Sequence, residues 1–257
     1  MKNPQYILIT GASSGIGAAL ALYYAKHSIS LYLTGRNQER LEEIKQKCEN
    51  KGAIVSAETI DVIDKAAMAD FMDGISTLDL VIANAGISGG SGGDKGEPMA
   101  QARKIFDINL TGVLNTIEPA LSKMEKVNKG QIALISSLAG YRGYPSAPAY
   151  SASKGAVRYY GEGLRGALRQ TNIKINVVCP GFVTSRITDA NQFPMPFKMD
   201  ADKAAAIIAK GLAKDKSRIA LPLPMVFAAW FIGILPDWLA QKILAKAPVK
   251  MAIIKED

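Results

Sequence analysis

Short apolar runs alternate with longer amphipathic segments along most of the chain. The first run, residues 5–10, ends in a glycine-rich turn, and helically spaced apolar residues follow over 16–26. Parallel strands need crossover segments of this kind, and strands without polar alternation are covered on both faces. The pattern predicts an α/β fold, a doubly wound parallel sheet with helices on both faces. The remaining strand-like runs are 30–34, 54–60, 78–83, 131–136 and 174–179.

Size and composition agree with one ordered domain, residues 1–257. Of the 257 residues, 48% are hydrophobic and 21% are charged, which excludes a disordered protein. Cys48 and Cys179 lie far apart and His27 is the single histidine, so we expect neither a metal site nor a disulfide framework. We place Cys48 on a helix surface. Pro4 and Gln5 interrupt the start where a secretory signal would be apolar, so we expect a cytoplasmic protein.

The positive charge is concentrated late in the chain. The formal net charge is +8, and residues 203–250 contain eight basic and two acidic residues. A nucleic-acid-binding surface would interleave such charges with aromatic residues in a basic stripe, and this segment has no such stripe. Nucleic acid is therefore not expected as a partner.

An uncharged stretch, residues 219–236, raises the question of a membrane span. Pro222, Pro224 and Pro236 leave eleven residues, 225–235, free of proline. They would form about 16 Å of helix against a hydrocarbon core of about 30 Å, so a span is excluded. Two interpretations stay open: peripheral membrane contact through residues 219–250, or packing over a substrate pocket or against another subunit.

The glycine-rich turn after the first strand carries the first chemical signal. Glycines let the backbone approach a pyrophosphate, and the N-terminus of the following helix offers free N–H groups. The spacing G-x-x-x-G-x-G differs from the common dinucleotide fingerprint G-x-G-x-x-G. The residues expected around the phosphates are Gly11, Ser13, Ser14, Gly15, Ile16 and Gly17.

A tyrosine and a lysine share one face of a later helix. Tyr150 and Lys154 are four residues apart, one helical turn, so both side chains can reach a common ligand. A neighbouring ammonium favours the phenolate and so lowers the pKa of a tyrosine from about 10. Ser136 and Ser137 follow an apolar strand, which puts a hydroxyl at the edge of the sheet that Tyr150 must also reach. These residue types suit proton transfer to or from an oxygen.

Six motifs in this order resemble the single-domain type of the short-chain dehydrogenase/reductase family over residues 5–184. The resemblance implies a Rossmann-type fold and a catalytic tetrad of Asn109, Ser137, Tyr150 and Lys154. In it Tyr150 is the acid or base, Ser137 holds the substrate oxygen, Lys154 tunes the tyrosine and holds the ribose, and Asn109 anchors a proton path. The motifs are T-G-x-x-x-G-x-G from Thr10, Asn84-Ala85-Gly86, Asn109, Ser137, Tyr150-x-x-x-Lys154 and Pro180-Gly181.

The family also implies roles around the cofactor. Asp61 and Val62 would contact adenine, although Asp61 could instead cap the helix that follows. The loop 88–96, rich in glycine and serine, is expected to be mobile and close to the ligand. The expected cofactor contacts outside the glycine-rich turn are Arg36, Asp61, Val62, Asn84, Ala85, Gly86, Tyr150, Lys154, Pro180, Gly181, Val183 and Thr184.

Cofactor choice depends on the end of the second strand. An acidic residue there would bind a free ribose 2′-hydroxyl and repel a 2′-phosphate. The resemblance puts Gly35 at that position, and Arg36 follows with a guanidinium suited to phosphate. The prediction is therefore NADP(H), with NAD(H) as the alternative. Ser14 argues against NADP(H), because some NADP-preferring relatives carry a basic residue at this position.

The sequence thus predicts an NADP(H)-dependent oxidoreductase that acts on a small carbonyl or alcohol substrate with an apolar body. Residues 185–257 would form a substrate-covering segment and an apolar, basic extension. Two alternatives stay open: an NAD-dependent alcohol dehydrogenase of the same fold, and a non-catalytic nucleotide-binding sensor or scaffold. The resemblance further implies a homodimer or homotetramer through the helices within 99–126 and 150–169.

Overall fold

The computed structural model describes residues 1–92, 96–189, 193–246, 248 and 250–252. Strands and helices alternate as the apolar pattern predicts. The strands are β1 (Tyr6–Thr10), β2 (Ser30–Gly35), β3 (Ile54–Thr59), β4 (Leu80–Ala83), β5 (Gly130–Ile135), β6 (Ile173–Pro180) and β7 (Arg218–Leu221). The helices are α1 (Gly15–Tyr24), α2 (Gln38–Glu49), α3 (Lys65–Asp73), α4 (Met99–Phe106), α5 (Gly112–Lys126), α6 (Pro148–Ala167), α7 (Arg186–Asp189), α8 (Ala201–Ala213), α9 (Leu223–Ile234) and α10 (Asp237–Leu244).

All seven described strands form one parallel sheet. Its order is β3-β2-β1-β4-β5-β6-β7, so the chain moves outward in one direction and then returns to continue in the other. The order reverses between β1 and β4, and the carboxyl ends of these two strands therefore open a crevice at the place where such sheets bind ligands. The predicted doubly wound α/β fold is confirmed, and four of the six motifs lie at strand ends around this crevice.

Apolar side chains cover both faces of the sheet. Ile7 and Ile9 point to the side of α1, α2 and α8, whereas Leu8 between them points to the side of α3, α5 and α6. Helices on both sides explain why β1 reads as a continuous apolar run rather than an alternating one. Cys48 belongs to the first of these clusters and is fully buried, so its predicted place on a helix surface is wrong.

The uncharged stretch 219–236 is divided between a strand and a helix. Its first residues belong to β7, which pairs with β6 and closes one side of the sheet, an element that the sequence pattern did not separate from the apolar run. Pro222 then precedes α9, and Pro236 precedes α10. Twelve residues of α9 extend about 18 Å. Within the described residues, no helix is long and apolar enough to cross a membrane.

Candidate active site

The turn between β1 and α1 is shaped to accept an anion. Gly11 and Gly15 have φ angles of +67° and +57°, a region that favours glycine. A Cβ on Gly17 would lie 2.3 Å from the carbonyl oxygen of Gly11, so glycine is required where α1 rests on the turn. Within the described chain, Ser14 makes no side-chain capping bond to α1, and the first turn of α1 holds no acidic residue. The N–H groups of this helix end, which also carries Ile16, therefore fit a pyrophosphate.

Asn84, the first residue after β4, fastens this turn to the centre of the sheet. Its Nδ2 donates to the carbonyl oxygens of Thr10 at 3.0 Å and Gly11 at 3.2 Å. In the other direction, the Thr10 hydroxyl oxygen accepts the N–H of Asn84 at 3.1 Å and that of Ala85 at 3.2 Å. These four bonds join the two strands that flank the crevice, so Asn84 fixes the backbone around it.

The ends of β2 and β3 bring Arg36 and Asp61 together. Arg36 Nη1 lies 3.8 Å from Asp61 Oδ2, and half of the Arg36 side chain is exposed, at 50%. Gly35 packs against Ser13 of the glycine turn, where a Cβ would lie 3.1 Å from the Ser13 Cβ. The cap of α3 is Asp64, whose Oδ1 accepts the N–H three residues on at 3.0 Å, so the alternative that Asp61 caps this helix is wrong.

Val62 and Gly112 fix the opposite wall of this region. Val62 is buried against α5, and a Cβ on Gly112 would lie 2.4 Å from the Val62 Cγ2. Asn115, also on α5, donates through Nδ2 to the carbonyl oxygen of Val62 at 2.9 Å. The backbone after β3 is thereby held against the helix, while the Asp61 side chain stays one-third exposed, at 35%, beside Arg36.

Asn109 is fully buried in a π-helical turn, Asp107–Thr111, between α4 and α5. Its Oδ1 accepts the N–H of Ile87 at 2.8 Å, and its Nδ2 donates to the Ile87 carbonyl oxygen at 2.9 Å and to the Ser153 hydroxyl at 3.0 Å. A Cβ on Gly86 would lie 3.1 Å from Asn109 Oδ1 and 3.3 Å from Lys154 Nζ. Asn109 and Lys154 therefore flank Gly86 on the segment that follows β4.

Lys154 lies beneath the carboxyl end of β5. Its side chain is almost wholly buried, and Nζ donates to the Ile135 carbonyl oxygen at 2.9 Å. The Ser136 hydroxyl donates to the backbone oxygen of Lys154 at 2.7 Å, which locks α6 to the strand end. Burial disfavours the charged form and lowers the pKa of Lys154 to about 8.

Tyr150 and Ser137 meet across the same strand end. Tyr150 lies in the first turn of α6, because this helix begins at Pro148. Burial raises the pKa of the Tyr150 phenol, and a side-chain hydrogen bond with Ser137 opposes that shift. Ser137 Oγ also accepts the N–H of Ala139 at 3.1 Å and donates weakly to the Pro180 carbonyl oxygen at 3.4 Å. The hydroxyls of Tyr150 and Ser137 can thus contact one oxygen atom of a ligand.

The segment after β6 connects this edge to the glycine turn. The Gly181 N–H donates to the Leu221 carbonyl oxygen at 2.7 Å, and the Thr184 N–H donates to that of Met199 at 2.9 Å. Val183 between them is buried. The next residue, Ser185, packs so closely on the turn that a Cβ on Gly15 would lie 2.9 Å from the Ser185 Cβ. The segment therefore runs from the strand end near Ser137 to the glycine turn, and it contains Pro180, Gly181, Val183 and Thr184.

Three residues at this site were not predicted as functional. Ser153 holds Asn109, and Lys250 donates through Nζ to the Ser88 hydroxyl, with Nζ 5.2 Å from the centroid of the Tyr150 ring. A serine three residues after the tyrosine on a helix could have suggested the first contact. No local pattern links Lys250 to the site, because it comes from the distant end of the chain. Of the loop 88–96, residues 93–95 lie outside the described residues.

Comparison with known proteins agrees with this geometry. A family model described as short chain dehydrogenase matches residues 5–193. An uncharacterized oxidoreductase of Myxococcus xanthus is 34% identical over 234 residues, which are 90% of this chain and 92% of that protein. An uncharacterized oxidoreductase of Mycobacterium tuberculosis is 34% identical over 249 residues, or 93% and 96% of the two chains.

Solved structures share the fold. A short-chain dehydrogenase of Sphingobium yanoikuyae in complex with NADPH has a TM-score of 0.79 at 24% identity and covers 95% of this chain and 96% of its own. A short-chain dehydrogenase/reductase of Burkholderia phymatum in complex with NAD has a TM-score of 0.81 at 23% identity, with coverage of 98% and 99%. With the family match over more than half of the chain, these observations lead to one conclusion: the chain belongs to the short-chain dehydrogenase family of oxidoreductases.

Proposed function

We propose that this oxidoreductase reduces a carbonyl group, or oxidises the corresponding alcohol, with NADP(H) as its preferred cofactor. The observation that carries the proposal is the meeting of Tyr150 with Ser137 at the end of β5, with buried Lys154 one helical turn away. The nicotinamide supplies or accepts the hydride when the cofactor is bound. The chain's own residues transfer the proton and stabilise the negative charge on the oxygen.

Each of these residues has a physical role. Tyr150 gives its proton to the carbonyl oxygen as negative charge develops there, and Ser137 donates a hydrogen bond to the same oxygen. Both interactions are stronger in the transition state than in the ground state, so they accelerate the reaction. The hydrogen bond with Ser137 opposes the rise in pKa that burial causes at Tyr150. A protonated Lys154, one helical turn away, would further favour the phenolate. Asn109 holds Ile87 and Ser153 in place and is a positioning residue.

The catalytic assignment is tested by Tyr150→Phe. This change removes the proton donor and keeps the ring, so we expect turnover of carbonyl substrates to fall by at least about 100-fold, the typical contribution of a positioned acid. Binding of NADPH, followed by nicotinamide fluorescence, should stay within twofold of the wild type. A variant that retains most of its turnover would refute the role of Tyr150 and favour a non-catalytic nucleotide-binding protein.

The preference for NADP(H) rests on Arg36. Its guanidinium has five donors and makes one long ion pair with Asp61, so most of its hydrogen-bonding capacity stays available beside the glycine turn. A 2′-phosphate would provide oxygens for a charge-assisted, two-pronged contact, whereas a 2′-hydroxyl would not. Gly35 contributes no acidic side chain at this position that would repel the phosphate.

Calorimetric titration of NADPH and NADH at fixed salt tests this preference. We expect tighter binding of NADPH by the wild type, and Arg36→Asp should weaken NADPH at least about 10-fold with little effect on NADH, the scale of a lost charged hydrogen bond. Arg169→Asp is the matched control, because Arg169 is exposed just after α6 and its Nη1 lies 3.4 Å from the Gly166 carbonyl oxygen. Equal weakening of both cofactors by the Arg36 change would mean a structural role.

The apolar face of α9 and α10 supports a second part of the proposal, contact with an anionic lipid surface. The inner side of α9 packs through Ala229 beside Leu138 and Cys179. The outer side is exposed, with Trp230 at 53% and Trp238 at 69%, and exposed Lys242 lies at its rim. Tryptophan rings and lysines are typical of helices that lie in a membrane interface. The exposed apolar residues are Leu223, Phe227, Trp230, Phe231, Ile234, Trp238 and Ile243.

Sedimentation with lipid vesicles tests this surface. We expect the protein to bind vesicles that contain phosphatidylserine more strongly than vesicles of phosphatidylcholine alone, and less strongly as salt rises. Phe227→Ser combined with Trp230→Ser should abolish binding. The same change at two exposed apolar residues outside α9 and α10, Val127→Ser with Ile54→Ser, should not. Absence of vesicle binding, together with a dimer that the first pair dissociates, would identify the face as a subunit interface instead.

A further inference from the structure

The last described residues, Lys250–Ala252, lie along the loop that follows β4. The N–H of Gly92 donates to the carbonyl oxygen of Lys250, and the N–H of Gly90 donates to that of Met251, each at 3.0 Å. A Cβ on Gly90 would lie 2.1 Å from the Lys250 carbonyl oxygen, so this contact requires glycine at position 90. The segment is thus bound to the loop by its backbone.

The loop is held from its other side as well. Gln101 of α4 is fully buried and donates through Nε2 to the Gly90 carbonyl oxygen and to Glu97 Oε1, each at 2.9 Å. Glu97 Oε2 in turn accepts the N–H of Ala149 at 2.7 Å, in the first turn of α6 and next to Tyr150. The segment Lys250–Ala252, called the tail below, is therefore connected to α6 through the loop after β4. These contacts define the position of Lys250 relative to Tyr150.

Among the described residues, no carboxylate accompanies the ammonium of Lys250 at Tyr150. Its contacts are the Ser88 hydroxyl and the Tyr150 ring, whose centroid is 5.2 Å from Nζ. In the part of the chain that the structure describes, no carboxylate pairs with it. Burial lowers the pKa of Lys250 to about 8. A partly desolvated ammonium beside a neutral hydroxyl is unfavourable until an anion joins it.

We propose that Lys250 and Ser88 form an anion-binding subsite for the substrate, and that the carbonyl or alcohol substrate carries a carboxylate near its reacting carbon. The inference rests on the proposed function, since Tyr150 defines where the reacting oxygen lies. The ammonium and the Ser88 hydroxyl are two donors side by side, which suits the two oxygens of a carboxylate. Lys250 then acts on specificity, and Tyr150 with Ser137 acts on the reaction.

Binding to the protein with NADPH present, measured by calorimetry, tests the subsite without turnover. The probes are levulinate and acetoacetate, each compared with its methyl ester, in the Tyr150→Phe variant, whose turnover is expected to be at least about 100-fold slower. We expect at least one acid to bind about 10-fold or more tighter than its ester, and Lys250→Met to remove that difference while the ester is unaffected. Lys246→Met, four residues earlier and exposed, is the matched control and should change neither value.

The outcomes separate the subsite from the proposed reaction. Equal binding of acid and ester, or no binding of either, overturns the anion subsite. Tighter binding of both probes by Lys250→Met also overturns it, because the tail would then be blocking the site. Turnover of neutral carbonyl substrates by wild-type enzyme that shows no acid preference would leave the proposed reaction standing and the subsite refuted. Acid preference without any turnover of carbonyl compounds would leave the subsite standing and refute the reaction.

Discussion

Gly90→Ala should release the tail from the active site and leave the fold intact. The added Cβ would lie 2.1 Å from the Lys250 carbonyl oxygen, yet Gly90 does not have a positive φ, so alanine suits its backbone. Release breaks two backbone hydrogen bonds, each 3.0 Å long. At about 0.5–1.5 kcal/mol for each bond, the docked state loses about 1–3 kcal/mol, and its population relative to the released state falls about 5- to 150-fold.

Limited trypsin digestion followed by mass spectrometry measures the release. The bond after Lys250 is protected while Lys250 lies against Ser88 and Tyr150, so we expect faster cleavage there in Gly90→Ala by a factor in the same range. The melting temperature should stay within a few degrees, because the core is not touched. The acid-over-ester preference should fall as it does in Lys250→Met.

A matched glycine controls for the substitution itself. A Cβ on Gly143 would meet no atom within 4 Å, so Gly143→Ala should change neither the cleavage rate nor the preference. Unchanged cleavage after Lys250 in Gly90→Ala would refute the docking of the tail on this loop. Faster cleavage with full acid preference would instead refute the role of the docked Lys250 in binding the substrate.

Two further predictions concern the turn at β1 and the titration of the subsite. Thr10→Val leaves the N–H groups of Asn84 and Ala85 without their acceptor, which costs about 1–3 kcal/mol for each buried group. The free energy of unfolding, measured in urea melts, should therefore drop by several kcal/mol. Thr10→Ser keeps the hydroxyl, so it should lower the free energy of unfolding by less than half as much. An unchanged midpoint in Thr10→Val would contradict this account. The pKa of Lys250 is lowered to about 8, so its ammonium is present below that pH and lost above it. The ratio of kcat/KM for the acid to kcat/KM for the ester should therefore fall between pH 7 and 9. The titration of Tyr150 and Lys154 affects both substrates equally and cancels in this ratio. A ratio that does not change with pH would count against the subsite.

The sequence predicted the central strands β1, β4, β5 and β6 because they are buried on both faces and appear as apolar runs, whereas β3 at the sheet edge is largely exposed. The same signal failed at β7, where the strand joins α9 with no polar residue between them and the run resembles one long apolar segment. Cys48 was misplaced because a charged helix with few apolar residues shows its buried stripe weakly. Four of the six motifs lie at a strand end or within a few residues of one, whereas Asn109 and the Tyr150–Lys154 pair lie in helical segments.

Contacts between distant segments were outside the reach of the sequence. Ser88 and Lys250 are brought together by the backbone bonds of Gly90 and Gly92, and neither spacing nor charge pattern encodes that pairing. Asp61 and Asp64 are both suitable N-cap residues, and the residue at which α3 begins decides that Asp64 is the cap. Local chemistry could be predicted, whereas the partners of each group required the fold.

The two halves of the site are held in place by different kinds of contact. The nucleotide half is fixed by Asn84 and Thr10 across neighbouring central strands, and changes there disturb the core of the sheet. The substrate half ends in a short peptide held through main-chain atoms to a glycine loop, beyond residue 193 where the family match stops. Main-chain pairing tolerates exchange of the side chains it carries. In the proposed subsite, exchange of Lys250 would therefore change which substrate group is bound and would leave Tyr150, Ser137 and Lys154 in place.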